Sequence, residues 1–123
     1  MRFMIKHTPK DEVLATPPEE MQDLIIDHLE YLIGLEDEGK VVDSGAFAGL
    51  RGGFLVMEAE SIEELDGMLS RAPGMPFLNT EVYPLVDLRT RLERLRRRRE
   101  RMLQEGGAQD LSEVPAEKVL GRG

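Results

Sequence analysis

Leu69-Ser70-Arg71-Ala72-Pro73-Gly74-Met75-Pro76-Phe77-Leu78-Asn79-Thr80-Glu81-Val82-Tyr83-Pro84-Leu85 is the stretch that decides how this chain folds. An apolar helical stripe runs out at Leu69. Pro73 and Pro76 fix their φ angles and offer no amide proton, so the helix cannot continue through them. Thr80 to Val86 then reads as a strand. Immediately upstream, Ser61-Ile62-Glu63-Glu64 is a capping box, with serine at the cap and glutamate three residues on. It starts a helix that reaches about Ser70 and buries Ile62, Leu65, Met68 and Leu69. Before it, Phe54 to Ala59 is nearly continuously apolar, as expected of a strand covered on both faces. Lys40 to Phe47 is the strand before that. Gly45, Gly49, Gly52 and Gly53 set the turn between the two, which makes them a hairpin.

The N-terminal third supplies the remaining elements. Arg2 to His7 alternates as a strand, with Phe3, Ile5 and His7 on one side and Arg2, Met4 and Lys6 on the other. Residues 8–16 read as a polar loop. Thr16 then caps a helix opened by Pro17-Pro18-Glu19-Glu20, where proline suits the first positions and acids suit the positive dipole end. Met21, Ile25, His28, Leu32 and Leu35 lie on one helical stripe, widened by Leu24, Ile26, Leu29 and Ile33. Gly39 ends the helix. The order is β-α-β-β-α-β, a ferredoxin-like α+β sandwich over residues 1–86. Helices cover one sheet face; the other also carries apolar side chains and needs a cover.

Beyond residue 86 the composition changes. Leu88, Leu92, Leu95 and Met102 recur at helical steps among eight arginines. A basic amphipathic helix is expected over 87–105, followed by a polar tail over 106–123 with a brief helical turn near Leu111–Val114. The net charge of -8 divides unevenly: residues 1–86 carry six Lys and Arg against seventeen Asp and Glu. So acidic a body argues against nucleic acid lying across it. The Arg94–Arg101 run lacks the interleaved aromatics of a stacking surface; it reads as a solvated face of a helix that packs on its own fold or on a partner. It also lacks the Trp or Phe anchors of a membrane-surface helix. No apolar run approaches the roughly 20 residues that span a bilayer. There is no cysteine, which excludes disulfides and thiolate metal sites. Without signal-peptide architecture at Met1-Arg2-Phe3, the expected location is cytoplasmic.

The proline loop and the strand after it resemble the muconolactone isomerase family, where Leu-Ser-x-x-Pro-x-x-Pro-aromatic leads into a strand ending in Pro-Leu. His28-Leu29-Glu30-Tyr31-Leu32, Leu35, Gly39 and Asp43-Ser44-Gly45-Ala46-Phe47 resemble the related YCII proteins. The resemblance covers about residues 1–88. It implies a homodimer, or a higher homo-oligomer, in which two sheets pack face to face as a dimeric α+β barrel. It also implies a cofactor-independent enzyme acting on a small molecule. In YCII proteins the helix-one histidine is proposed to pair with the aspartate of an Asp-Pro-Phe triplet. Here the triplet reads Met75-Pro76-Phe77, so that dyad does not carry over. In the isomerase pattern, His28 falls where a helix-one carboxylate is usual.

His28 leads the candidates for chemistry, because an imidazole titrates near neutrality and this one lies on the apolar stripe; its other reading is a core histidine bonded to a backbone carbonyl. Asp43 either orients a histidine or sits as a strand-edge acid in water. Tyr83 either donates to an oxyanion or is a wall aromatic. His7 either reaches a pocket mouth or ends a solvated strand. Arg51 either grips a carboxylate or is a solvated hairpin residue. Phe47, Met75 and Phe77 are apolar pocket wall or ordinary core. No phosphate-binding glycine loop, nucleophile elbow or metal-ligand spacing is present, so no metal and no cofactor are expected. The resemblance implies proton transfer or isomerisation on a small lactone, ketone or polyketide-like substrate. Two alternatives stand beside it: a cofactor-free monooxygenase of phenolic intermediates, and a non-enzymatic assembly module using the C-terminal helix.

Overall fold

A computed structural model describes residues 1–49 and 51–106, with Leu14 described by its backbone alone. It divides into two units, Met1–Leu85 and Val86–Gly123. The first is a four-stranded antiparallel sheet crossed by two helices: β1 (Arg2–Pro9), α1 (Pro18–Asp37), β2 (Val41–Ala46), β3 (Gly53–Glu58), α2 (Ile62–Ser70) and β4 (Leu78–Leu85). The strand order β2-β3-β1-β4 is that of the ferredoxin-like α+β fold. The second unit contains α3 (Leu88–Gln104), capped by Asp87, whose carboxylate accepts from the Thr90 amide. None of the described helices is long and apolar enough to cross a membrane. The expected helical turn near Leu111–Val114 and the expected tail lie outside the described residues, apart from Gly106.

Register settles which residues share a face, because directly paired residues of antiparallel strands point the same way. Phe3 pairs with Met57, and Ile5 with Leu55. All four are buried beneath the helices, with Leu65 and Leu69 of α2 and Leu35 of α1. Full burial of a side chain of this size contributes roughly 2–3 kcal/mol, so this layer carries the fold. On the opposite face Met4 pairs with Val56 and Tyr83. Phe54 and Val56 are half-buried there, so β3 is closed on one side only. The expectation of two covered faces is met on one.

Local chemistry explains the ends of the elements. The Gly39 N–H donates to Glu36 O and the Lys40 N–H to Leu35 O, and Gly39 has φ 77°; together these form a Schellman stop for α1. Ser61 accepts from the Glu64 amide, while the Glu64 carboxylate reaches back to the Glu60 amide. Several expectations shift. Residues 8–16 are not all loop: β1 runs on to Pro9 and a 3-10 helix spans Asp11–Ala15. Thr16 does not cap α1; its hydroxyl donates to Glu12 O, and Pro17 takes the cap position with no side-chain bond. β2 begins at Val41, β3 at Gly53 and β4 at Leu78, each within two residues of the expected start. Ile62 is half exposed rather than buried, since it opens α2 on the side away from the sheet core.

The proline loop is tied down at both ends. The Lys10 amide donates to Phe77 O and the Lys10 ammonium to Pro76 O. The Met75–Phe77 segment is a 3-10 turn. The Tyr31 hydroxyl donates to Met68 O at 2.7 Å, joining the middle of α1 to the end of α2. These bonds tie the end of the loop to Lys10 and the end of α2 to α1, one helical turn from His28.

Candidate active site

A pocket of about 310 Å³ lies between α1 and the β2-β3 hairpin. Its apolar wall includes Ile25, Leu29 and Leu32 of α1, Phe47 at the hairpin and Leu55 of β3. Among the described residues, four polar ones line it: His7, His28, Glu36 and Ser44. His7 arrives from β1 on the face it shares with Ile5, and His28 hangs from α1 above it. Both are buried, and their ring centroids are 6.0 Å apart.

The loop fixes the protonation pattern of His28. The Gly74 N–H donates to His28 Nδ1 at 2.9 Å. A nitrogen that accepts cannot carry the proton, so the neutral ring bears it on Nε2. This close approach requires glycine: a Cβ at position 74 would sit 2.8 Å from Nδ1 and 3.0 Å from Cγ of His28. Gly74 itself has an ordinary φ of -83°, so space rather than backbone freedom dictates the residue. Burial holds the His28 pKa below its usual value. Burial, and secondarily the neighbouring His28, pushes His7 down to about 4. Both rings are therefore neutral at neutral pH. Nε2 of His7 is buried without a hydrogen-bond partner. Such an atom carries a desolvation cost that a bound group of matching polarity relieves.

Glu36 and Ser44 form the polar edge of the pocket. The Ser44 hydroxyl donates to Glu36 Oε2 at 3.3 Å. Ser44 pairs with Leu55 across the β2-β3 ladder and so lies on the helix-covered face. Glu36 lies two helical steps of four beyond His28, through Leu32, on the same stripe. That spacing was a readable signal for Glu36. For Gly74 the signal was a glycine set between two prolines.

The structure brings His28, His7 and Phe47 together at this pocket. It does not bring the other expected residues with them. Asp43 follows a bulge between Val41 and Asp43 and pairs with Val56, which places it on the open face with Tyr83; its carboxylate accepts from the Ser44 amide. Neither faces His28. Within the chain Asp43 does not reach His28, and of its two expected readings the structure shows the strand-edge acid exposed to water; Tyr83 lies on the face opposite His28. Arg51 is exposed in the turn of the hairpin and does not line the pocket. Met75 packs against the core, and its sulfur accepts from the Thr80 hydroxyl. Phe77 is half-buried in the loop, outside the lining. Among the described residues no group of three His, Asp or Glu is placed to hold a metal. The side chains of α3 outline a wider hollow, but every residue around it comes from that one helix; it is helix surface, not an enclosed site.

The structure is thus a ferredoxin-like α+β domain that holds two neutral histidines in an apolar pocket under its first helix. The chain belongs to the muconolactone delta-isomerase family, whose model matches residues 1–91. Among solved structures it is similar to a muconolactone isomerase, with 28% identity, a TM-score of 0.60, and coverage of 71% of this chain and 90% of that one. It is also similar to the 5-chloro-2-hydroxyhydroquinone dehydrochlorinase of Burkholderia phenoliruptrix AC1100, in complex with 2,5-dihydroxybenzoquinone. There the identity is 24%, the TM-score 0.56, and coverage 70% of this chain and 94% of that one. Both structures are of the dimeric α+β barrel type. No curated protein sequence matches the chain.

Proposed function

We propose that this protein is a small cofactor-independent enzyme that moves a proton on a lactone, ketone or polyketide-like substrate. The observation that carries the reading is the pair of neutral histidines 6.0 Å apart in an apolar pocket, one held in a single tautomer by Gly74. The ring carbonyl of the substrate accepts from His28 Nε2–H. His7 removes a proton from the carbon beside that carbonyl. The C–H electron pair moves into the conjugated system, and the oxygen gains negative charge facing His28. His7 then returns its proton at another carbon, so the double bond has moved and no atom is gained or lost. His28 acts here as donor, not as base, because its Nδ1 is committed to the loop. Hydrogen bonds to a developing oxyanion are worth most in a site from which water is excluded. A His7 of low pKa is a weak base, and it gives the proton back readily.

Family membership and the likeness to a muconolactone isomerase support isomerisation over other chemistry on this fold. Phe47 forms pocket wall. Met75 and Phe77 act through the loop, by fixing the position of Gly74. Asp43, Tyr83 and Arg51 carry no step in the single chain. The homodimer belongs to the same proposal, with the half-covered sheet face packed against that of a second copy.

Exchange of ring protons for deuterium tests the reading. Small butenolides and cyclic enones are incubated with the protein in heavy water under nitrogen. Exchange and double-bond migration are expected, and His28→Asn should slow them about 10²–10⁴-fold, the usual contribution of a positioned acid or base. Exchange that survives in His28→Asn, or turnover that appears only with oxygen, overturns the assignment; the second outcome turns the site into a monooxygenase.

A further inference from the structure

The pocket lining has an asymmetry of charge that the proposed chemistry does not require. Among its described residues there is no lysine or arginine, and Glu36 is the only formally charged side chain. Lys6, Lys10, Lys40 and Arg51 each adjoin a lining residue in sequence, but none of them lines the pocket. The two histidines are neutral, held so by burial. The body around the pocket is itself acidic, with seventeen Asp and Glu against six Lys and Arg in residues 1–86. Among the described lining residues a carboxylate entering this site meets no counter-ion and faces the Glu36 carboxylate.

The hydrogen-bonding groups are arranged as directionally as the charges. At the inner end His28 offers a proton on Nε2, and Nε2 of His7 stands unpartnered. At the edge the Ser44 hydroxyl proton is spent on Glu36, so these two side chains offer lone pairs and no donor. The ligand complementary to this pattern accepts at one end and donates at the other, with an apolar ring between. Buried polar groups that a ligand leaves unpaired are what make such sites selective.

We propose that the substrate is an uncharged ring compound with a carbonyl toward His28 and a hydroxyl toward Glu36 and Ser44, and that Glu36 excludes carboxylate-bearing analogues. This rests on the reading of the pocket as the catalytic site. It places Glu36 as the residue that sets specificity, with Ser44 holding its carboxylate in position.

A matched pair of ligands decides it: one butenolide carrying a hydroxyethyl arm and the same ring carrying a carboxymethyl arm. Affinity is measured by calorimetry, and occupancy of the pocket by the ¹⁵N shifts of His28. The wild type should bind the hydroxyethyl compound at least about tenfold more tightly, a difference of ~1.4 kcal/mol. Glu36→Gln should shrink that ratio to about threefold or less by improving the carboxymethyl ligand. Glu36 is exposed, so the glutamine variant keeps the fold. Ser44→Ala, which frees the carboxylate, should weaken the hydroxyethyl ligand while leaving the carboxymethyl one poorly bound.

Equal or tighter binding of the carboxymethyl compound by the wild type overturns the proposal, and with His28 shifts present it leaves the catalytic reading intact. A preference that persists unchanged in Glu36→Gln overturns the role of Glu36. Absence of any His28 shift with either ligand overturns this inference together with the placement of the site.

Discussion

The two faces of the sheet use the same four strands, and they differ in how far their apolar residues are covered. Under the helices, Phe3, Ile5, Leu55 and Met57 are sealed, and the layer ends in His7 facing His28. On the other side Met4, Val56 and Tyr83 form a row that reaches Asp43, and it is only partly covered. Strand alternation alone separates them: moving one residue along a strand moves a side chain from one environment to the other. A residue type suited to catalysis therefore says little until its parity is known. Asp43 and Ser44 are neighbours in sequence, yet Ser44 lines the pocket and Asp43 faces away from it.

Two glycines allow the close backbone and side-chain approaches on the covered face. Gly52 has φ 101°, and a Cβ there would strike the carbonyl oxygen of His7. Gly52→Ala should cost about 3 kcal/mol or more, combining left-handed strain with a clash against backbone that cannot yield cheaply. Urea unfolding measures it; a loss under about 1 kcal/mol would mean that the hairpin and β1 are loosely joined. Gly74→Ala should cost less stability, roughly 1–2 kcal/mol, because the His28 ring can swing aside. That swing breaks the bond to Nδ1. Proton exchange should fall by more than stability does, and the His28 ¹⁵N pattern should lose its single tautomer.

A second difference between the faces is written in protons. The folded state holds His7 near 4 and His28 below the usual value, whereas both titrate near ~6.5 when unfolded. The unfolded chain therefore binds more protons between these limits, so stability rises with pH across them. The contribution is complete above about pH 6.5 and is lost as pH falls toward 4. For His7 the loss reaches at most about 3 kcal/mol, at 1.36 kcal/mol for each pH unit separating the two pKa values. Glu58 and Glu64 are held below the usual carboxylate range by hydrogen bonds, so their own losses begin at lower pH. Urea midpoints between pH 7 and 5 should fall for the wild type and stay nearly flat in a His7→Leu, His28→Leu double variant. Parallel slopes would place the histidines in water.

Most of the fold was legible because its signals are local. The Ser61 cap, the Gly39 stop and the proline loop each dictate a boundary from a few residues, and they agree with the apolar stripes around them. His28 was legible for the same reason, as a polar residue on an apolar stripe. The parts that escaped depend on what the chain brings together from a distance. Gly74 meets His28 across forty-six residues, and nothing in the spacing of the loop announces that partner. Asp43 had two readings, and a bulge decides between them: the register shift after Val41 resets the parity of β2 and leaves the acid exposed on the open face of an edge strand, and a bulge has no strong signature in a stretch as short as Val41–Ala46. The resemblance to the isomerase family reached the fold and the helix-one position. It did not reach the Glu36–Ser44 edge, where this chain's charge pattern sets its own terms.

The smallest effects belong to the open face, and they test whether the two faces act separately. Asp43 and Tyr83 sit on the outer strands β2 and β4, at matched levels through Val56 and Met4. Three strand spacings of ~4.8 Å put them roughly 14 Å apart, too far to act on one small substrate. Asp43→Asn and Tyr83→Phe should therefore change proton exchange by less than about threefold and leave the His28 signals in place. A hundredfold loss from Tyr83→Phe would carry more weight than its size suggests. Within one chain the phenol and His28 are on opposite sides of the sheet, so no side-chain rearrangement joins them. Such a loss would require a second copy whose own pocket opens onto this sheet face, and the catalytic unit would then be the pair of chains rather than the single domain.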